Sequence, residues 1–244
     1  MSSTLTSGAH TQTPPPTAES AVPVQTRSER FASINPAEYA AVSGREPEWK
    51  LTPVKDLEPL LEGNLDGSAY PVTFPEVPGV SVAWVPASAA HRGVAGVSED
   101  KAAANAWSQT SEVLVIEISQ DLSEPFVLSR DSLGSSARAA HTIISVSQNV
   151  HATLIMESHG DALLAENVEI ILERDATLQV VFTSEWNPQA IQWASHFARV
   201  GQNASLSHIV VSLGGRLIGT NPSVLLHGEG AHVDALGAYF ADKS

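Results

Sequence analysis

Asn149-Val150-His151-Ala152-Thr153-Leu154, Arg174-Asp175-Ala176-Thr177-Leu178, Gly201-Gln202-Asn203-Ala204-Ser205-Leu206 and Gly228-Glu229-Gly230-Ala231-His232-Val233 are four copies of one short pattern. Its alanines, Ala152, Ala176, Ala204 and Ala231, are 24, 28 and 27 residues apart. Each copy opens on a polar or Gly-bearing corner and continues with apolar residues at every second position. The series are Ala152, Leu154, Met156; Ala176, Leu178, Val180; Ala204, Leu206, Val210; and Ala231, Val233, Ala235. A period of two buries one face of a strand, and a repeat of this length is the mark of a stacked array. Gly, Asn and Asp suit the corners because they tolerate positive φ. The pattern predicts a right-handed parallel β-helix with one coil per repeat. The four alanines fall in one column, and Leu154, Leu178, Leu206 and Val233 in the next. Met156, Val180, His208 and Ala235 make a third.

Composition narrows the function classes. Hydrophobic residues make up 43% of the 244 and charged residues 16%, enough to bury a large core. The net charge of −14 argues against nucleic acid or an anionic membrane surface, which need clustered Lys and Arg. Without cysteine there is no disulfide, thiolate metal site or cysteine nucleophile in the chain, and a reducing compartment fits. No run of 18 apolar residues exists to span a membrane, and the N-terminus lacks a signal-peptide pattern. The expected location is the cytoplasm.

Outward from the repeats, four segments are expected. Residues 1–26 are rich in Ser, Thr, Pro and Ala, centred on Pro14-Pro15-Pro16, and read as a disordered tail. Residues 27–62 form a short-helix region. Two helices are expected between Arg27 and Ser43, one opened by Asn35 and Pro36, and a third over Val54 to Leu61 with Leu57, Leu60 and Leu61 on one side. Residues 63–110 form a connecting α+β segment, with a strand at Val80 to Val85 and a short helix or turn over Glu99 to Trp107. Residues 111–244 form the β-helix core, with entry strands at Val113 to Ile118, Phe126 to Leu128 and His141 to Val146.

The stretch Gly44-Arg45-Glu46-Pro47-Glu48-Trp49-Lys50-Leu51-Thr52 resembles the opening element of the SufB/SufD family of iron–sulfur cluster assembly proteins. Gly201-Gln202-Asn203-Ala204-Ser205-Leu206, Leu213-Gly214-Gly215-Arg216 and Leu226-His227-Gly228-Glu229-Gly230-Ala231 resemble its β-helix core. The resemblance covers about residues 28–244. It implies a scaffold that pairs with a SufB-like paralogous subunit and works with a SufC-like ABC ATPase. The iron–sulfur cluster then belongs to the complex, and no cofactor is bound by this chain alone. The compact N-terminal region and the absence of cysteine make the chain more similar to SufD than to SufB. Further coils and a C-terminal helical segment of the family have no counterpart here, so a C-terminal truncation is expected. The final coil, Val224 to Phe240, is expected to present an open edge suited to a homodimer. The family's late interface histidine has no counterpart either, and the resemblance assigns no ligand.

His208 lies on the inward phase, where a packed, hydrogen-bonded imidazole competes with an interior ligand. His196, His227 and His232 are placed on or near solvated corners, without the convergence and third donor that a metal needs. Gly214-Gly215-Arg216-Leu217-Ile218-Gly219 lacks the Gly-Lys-Ser/Thr ending of a phosphate loop and reads as a turn. Trp49 and Lys50 suit either a partner contact or an anchor of small helices on the larger domain. His151 and His159 lack the companions of a cupin site. A carbohydrate-active β-helix lyase or hydrolase is the enzymatic alternative, and an unliganded structural solenoid is the third reading. The lyase or hydrolase needs acids or bases aligned on an outer face, whereas Thr153, Thr177, Ser205 and His232 occupy the corresponding positions. No catalytic, cofactor-binding or metal residue is assigned.

Overall fold

A computed structural model describes residues 31–47 and 49–240. The tail assigned to residues 1–26 lies outside the described residues, as do 27–30 and 241–244. At three successive corners Asn149, Asp175 and Asn203 adopt φ of 61°, 59° and 54°, and Gly230 does so at the next with 72°. Asn and Asp are the side chains most at ease there, since their short polar groups bond locally. Asn203 Nδ2 donates to Asp175 Oδ1 at 3.0 Å, which ties one corner to the next. At Gly230 a Cβ would lie 2.5 Å from Asn203 Oδ1, so glycine serves both the dihedral and the close approach.

Between the corners run two sheets. β1 (Val80–Pro86), β2 (Glu112–Ile118), β4 (Ala137–Val146), β6 (Leu163–Leu172), β8 (Ile191–Val200) and β10 (Leu217–Leu226) form the first, in that order. β3 (Phe126–Arg130), β5 (His151–Gly160), β7 (Thr177–Trp186), β9 (Ser205–Ser212) and β11 (His232–Tyr239) form the second. All neighbours are parallel except β1, which is antiparallel to β2. Each coil places one strand in each sheet, and the five coils form the expected parallel β-solenoid. The first coil is closed by the chain itself: β1 covers the edge of β2, and Thr73 bridges Ser129 on β3. At the other end β10 and β11 are the outermost described strands, with Leu226, Leu236, Tyr239 and Phe240 exposed.

The interior columns differ in one respect from those expected. Ala152 pairs with Leu178, Leu178 with Leu206, and Leu206 with Val233. The four alanines do not form a column, because Val150 rather than Ala152 precedes Ala176 in the stack. Thr177 N–H donates to Val150 O, Ser205 N–H to Ala176 O and His232 N–H to Ala204 O. The first copy of the pattern therefore sits two residues out of register with the other three. A slip of two preserves the face, so Leu154, Leu178 and Leu206 are all fully buried, and Val180 and His208 share their column with Leu154 rather than Met156.

The outer face of the first sheet is covered. α1 (Val54–Glu62) and α2 (Lys101–Gln109) pack there, and β6 and β8 are accordingly buried almost continuously. A sheet buried on both faces loses the alternation that marks a half-exposed strand. α2 is lined with Ala102, Ala103, Ala104 and Ala106, whose small side chains let it approach both the sheet and α1. Asp100 caps α2 by accepting from Ala103 N–H, and also accepts from Trp193 Nε1 and Ser195 Oγ on β8. Trp49 is buried and stacks on Trp193 within the cluster that holds Leu57, Leu60 and Leu61. This is the anchoring reading of Trp49; Lys50 beside it is exposed. In place of two helices before Ser43, residues 31–43 contain a single 3-10 turn, Pro36–Glu38. Asn35 caps it as expected, but Tyr39 leaves in an extended conformation and its hydroxyl donates to Ser98 O at 2.6 Å. No helix among the described residues is long and apolar enough to cross a membrane.

Candidate functional site

The solenoid interior changes character along the strands. Its half beside the Asn, Asp and Gly corners is aliphatic, whereas the late positions of the second sheet's strands and the early positions of the first sheet's carry polar groups. Arg130 on β3 lies in one inward column with Ser158 and Ser184, while Glu166 and Gln192 face it from β6 and β8. The Arg130 guanidinium grips Glu166 with both terminal nitrogens, at 2.6 and 2.8 Å, and its Nε donates to Ser158 Oγ at 2.7 Å. Gln192 Nε2 donates to the same carboxylate. Gln192 Oε1 in turn accepts from Ser184 Oγ at 2.9 Å and Trp186 Nε1 at 2.6 Å. The Arg130 guanidinium also lies over the Trp186 ring, 5.6 Å from its centroid.

A buried charge pair persists only where its geometry and hydrogen bonds offset desolvation. Burial alone would push the Glu166 carboxyl up, but the adjacent Arg130 charge and the hydrogen bonds from Arg130 and Gln192 outweigh it and hold Glu166 below its ordinary value. For Arg130, burial opposes the charge and Glu166 more than restores it. Both groups are ionised and satisfied by one another. This arrangement orders the interior; its carboxylate and guanidinium are already occupied.

The second interior group is His196 on β8 with His208 on β9. Their rings meet through His196 Nδ1 and His208 Nε2, 2.8 Å apart, and Phe182 packs against both. Burial, with His208 adding to it, lowers the His196 pKa to about 3; burial lowers His208 to about 4. Both imidazoles are neutral near neutrality, one donating its N–H to the other's bare nitrogen. Among the described residues no group of three or more His, Asp or Glu side chains is arranged to hold a metal ion.

A third buried pair lies on the covered outer face. His141 Nε2 and Glu169 Oε1 are 3.0 Å apart, both inaccessible to solvent. Glu169 also accepts from Gly93 N–H and Ala95 N–H at 2.7 and 3.0 Å, fastening the loop before α2 to β6. Burial keeps the His141 pKa below its ordinary value despite Glu169. The pair is therefore an imidazole N–H donating to a carboxylate, and its work is to hold the loop.

His208 is inward and buried, as its phase requires, and its ring meets that of His196 at 2.8 Å. His196 is not on a corner: it lies in mid-strand on β8, inward and 4% exposed. The repeat pattern describes the second sheet, and β8 belongs to the first, so its phase could not be carried over. His227 and His232 do lie at the corner joining β10 to β11 and are exposed. Gly214 and Gly215 form the turn between β9 and β10, Gly215 with φ of 86°. The outward column contains His151 in place of Thr153, followed by Thr177, Ser205 and His232. Arg130, Glu166, Gln192 and Trp186 were not singled out from sequence. Arg130 has a signal, a charged side chain at an inward phase two residues beyond Leu128, whereas β6 and β8 are buried on both faces and give Glu166 and Gln192 no such phase.

Residues 126–244 match the family model of the SUF system FeS cluster assembly, SufBD core domain. Over 221 residues the chain is 30% identical to iron–sulfur cluster assembly SufBD family proteins of Mycobacterium bovis and Mycobacterium tuberculosis, covering 88% of this chain and 55% of each relative. A SufBD family protein of Mycobacterium leprae is 29% identical over 217 residues, covering 87% of this chain and 55% of its own. The chain thus spans little more than half the length of the curated relatives it matches. The matched segment starts at β3 and takes in the interior network, so the solenoid from residue 126 onward is a SufBD core domain, and over most of its length the chain is similar to iron–sulfur cluster assembly SufBD family proteins.

Proposed function

We propose that this chain is a non-catalytic scaffold subunit of a cytoplasmic iron–sulfur cluster assembly complex. It pairs with a SufB-like paralogous solenoid, works with a SufC-like ABC ATPase, and represents the SufD-like branch. The cluster is cargo of the assembled complex. One observation carries the reading: the SufBD core match falls on coils whose buried Arg130, Glu166, His196 and His208 are bonded to one another. Such groups build a rigid shape rather than a reacting centre. The test is affinity capture of the tagged full-length protein at native expression, with mass spectrometry of what is retained. The expected result is recovery of a second SufBD subunit and an ABC ATPase in fixed ratio. Capture of neither, or turnover of a glycan that one point substitution abolishes, contradicts it.

A further inference from the structure

Outward positions on the second sheet are free of the folding constraint that fixes the interior, yet one column is aliphatic in every coil. Val127 pairs with Ile155, Ile155 with Val181, Val181 with Ile209, and Ile209 with Leu236. The first four are half-buried by their neighbours and Leu236 is 61% exposed. Thr has the β-propensity of Val and Ile, and the adjacent columns use polar residues in most coils: Thr153, Gln179, Ser207 and Asp234 on one side, and Ser129, Glu157 and Thr183 on the other before Val211 and Ala238. Strand formation therefore does not account for the aliphatic choice. The first sheet has helices over its outer face, but none of the described helices packs on this one.

The spacing and charge of the strip specify what fits it. Strands repeat at about 4.8 Å, so five of them present a strip about 19 Å long. Side chains three and four apart on a helix recur every 4.5–6 Å or so, and about 13 residues span that length. A helix crossing the strands can seat its apolar residues between successive members of the column, as α2 does across β4, β6 and β8 on the opposite face. Glu157, Glu185 and Asp234 border the strip, and no Lys or Arg projects outward from β3, β5, β7, β9 or β11. We propose that the outer face of the second sheet, centred on Ile155, Val181 and Ile209, docks an amphipathic helix of a partner protein, with an aliphatic stripe flanked by Lys or Arg. This goes beyond the assembly reading and does not depend on it.

The probe is a fluorescein-labelled 18-residue helical peptide with Leu and Ile at helical spacing and Lys on both flanks, beside a scrambled peptide of equal composition. Anisotropy is read against the whole protein. The expected result is saturable binding of the amphipathic peptide, weakened at least tenfold by Val181→Thr with Ile209→Thr at unchanged melting temperature. Glu157→Gln with Glu185→Gln should weaken it and flatten its salt dependence, as removal of exposed charge requires. Equal binding of the scrambled peptide, unchanged binding by the threonine variant, or no binding up to millimolar peptide overturns the proposal. So does self-association of the protein alone that the threonine variant abolishes, which would put a second copy on the face.

Discussion

The indole of Trp49 stacks on that of Trp193, with centroids 5.1 Å apart and planes 23° from parallel. One ring comes from the segment before α1 and the other from the outer face of β8. The contact fastens the helical layer to the solenoid at a point where Ala139 and Ala165 leave room for it. Trp49→Ala should cost about 3–5 kcal/mol, the range for emptying a buried aromatic site, read by urea unfolding. Trp49→Phe should recover part of the loss. A loss within about 0.5 kcal/mol for Trp49→Ala would mean that the helical layer is held elsewhere.

Coil register can be tested with neighbouring residues of opposite phase. Leu206 is fully buried in the column Ala152, Leu178, Leu206 and Val233, whereas Ser207 faces outward. Leu206→Ala should cost about 2–5 kcal/mol. Ser207→Ala should stay within about 0.5 kcal/mol. Equal effects would show that this strand does not alternate as described.

Arg130 and Glu166 should behave as a unit. Removing one partner leaves the other charged and buried, so Glu166→Ala or Arg130→Met alone should destabilise by about 3–5 kcal/mol. The double substitution Arg130→Met with Glu166→Met should be far milder than the sum of the single changes. A double-mutant cycle measures the difference. Additive losses would mean that the two groups are bonded to other partners.

His196 and His208 give a pH dependence with a definite sign. Their folded pKa values, about 3 and about 4, lie below the ordinary 6.5, so below pH 6.5 the unfolded chain takes up protons that the folded chain refuses. Their contribution is fully present above pH 6.5 and is lost as the pH falls toward 4 and 3. The combined effect is on the order of a few kcal/mol. His196→Gln with His208→Gln should flatten the fall in melting temperature between pH 6.5 and 4. An unchanged slope would show that other groups set the acid limb.

The second sheet was legible because its strands alternate inward apolar and outward polar residues and begin at Asn, Asp or Gly corners. The first sheet was harder to read. Helices cover the outer face of β6 and β8, so Ile170-Ile171-Leu172 and Ala194-Ser195-His196-Phe197-Ala198 carry no clean period of two. That hid the inward phase of His196, Glu166 and Gln192, and with it the interior network. Bonds such as Arg130 to Glu166 join different sheets across 36 residues, and spacing within one strand does not show them. The slip at Ala152 has a local cause. Val150 is β-branched where later coils have alanine, so matching on alanine selected the wrong member of the first copy.

The proposed scaffold reading is tested most directly by native mass spectrometry of the full-length protein co-expressed with a SufB-like subunit and a SufC-like ABC ATPase. The account predicts one stoichiometric complex containing all three chains. It also predicts that Leu206→Asp, which places a charge in the packed interior, removes this chain from the complex by unfolding it. A folded wild-type chain that remains alone beside the other two would contradict the account.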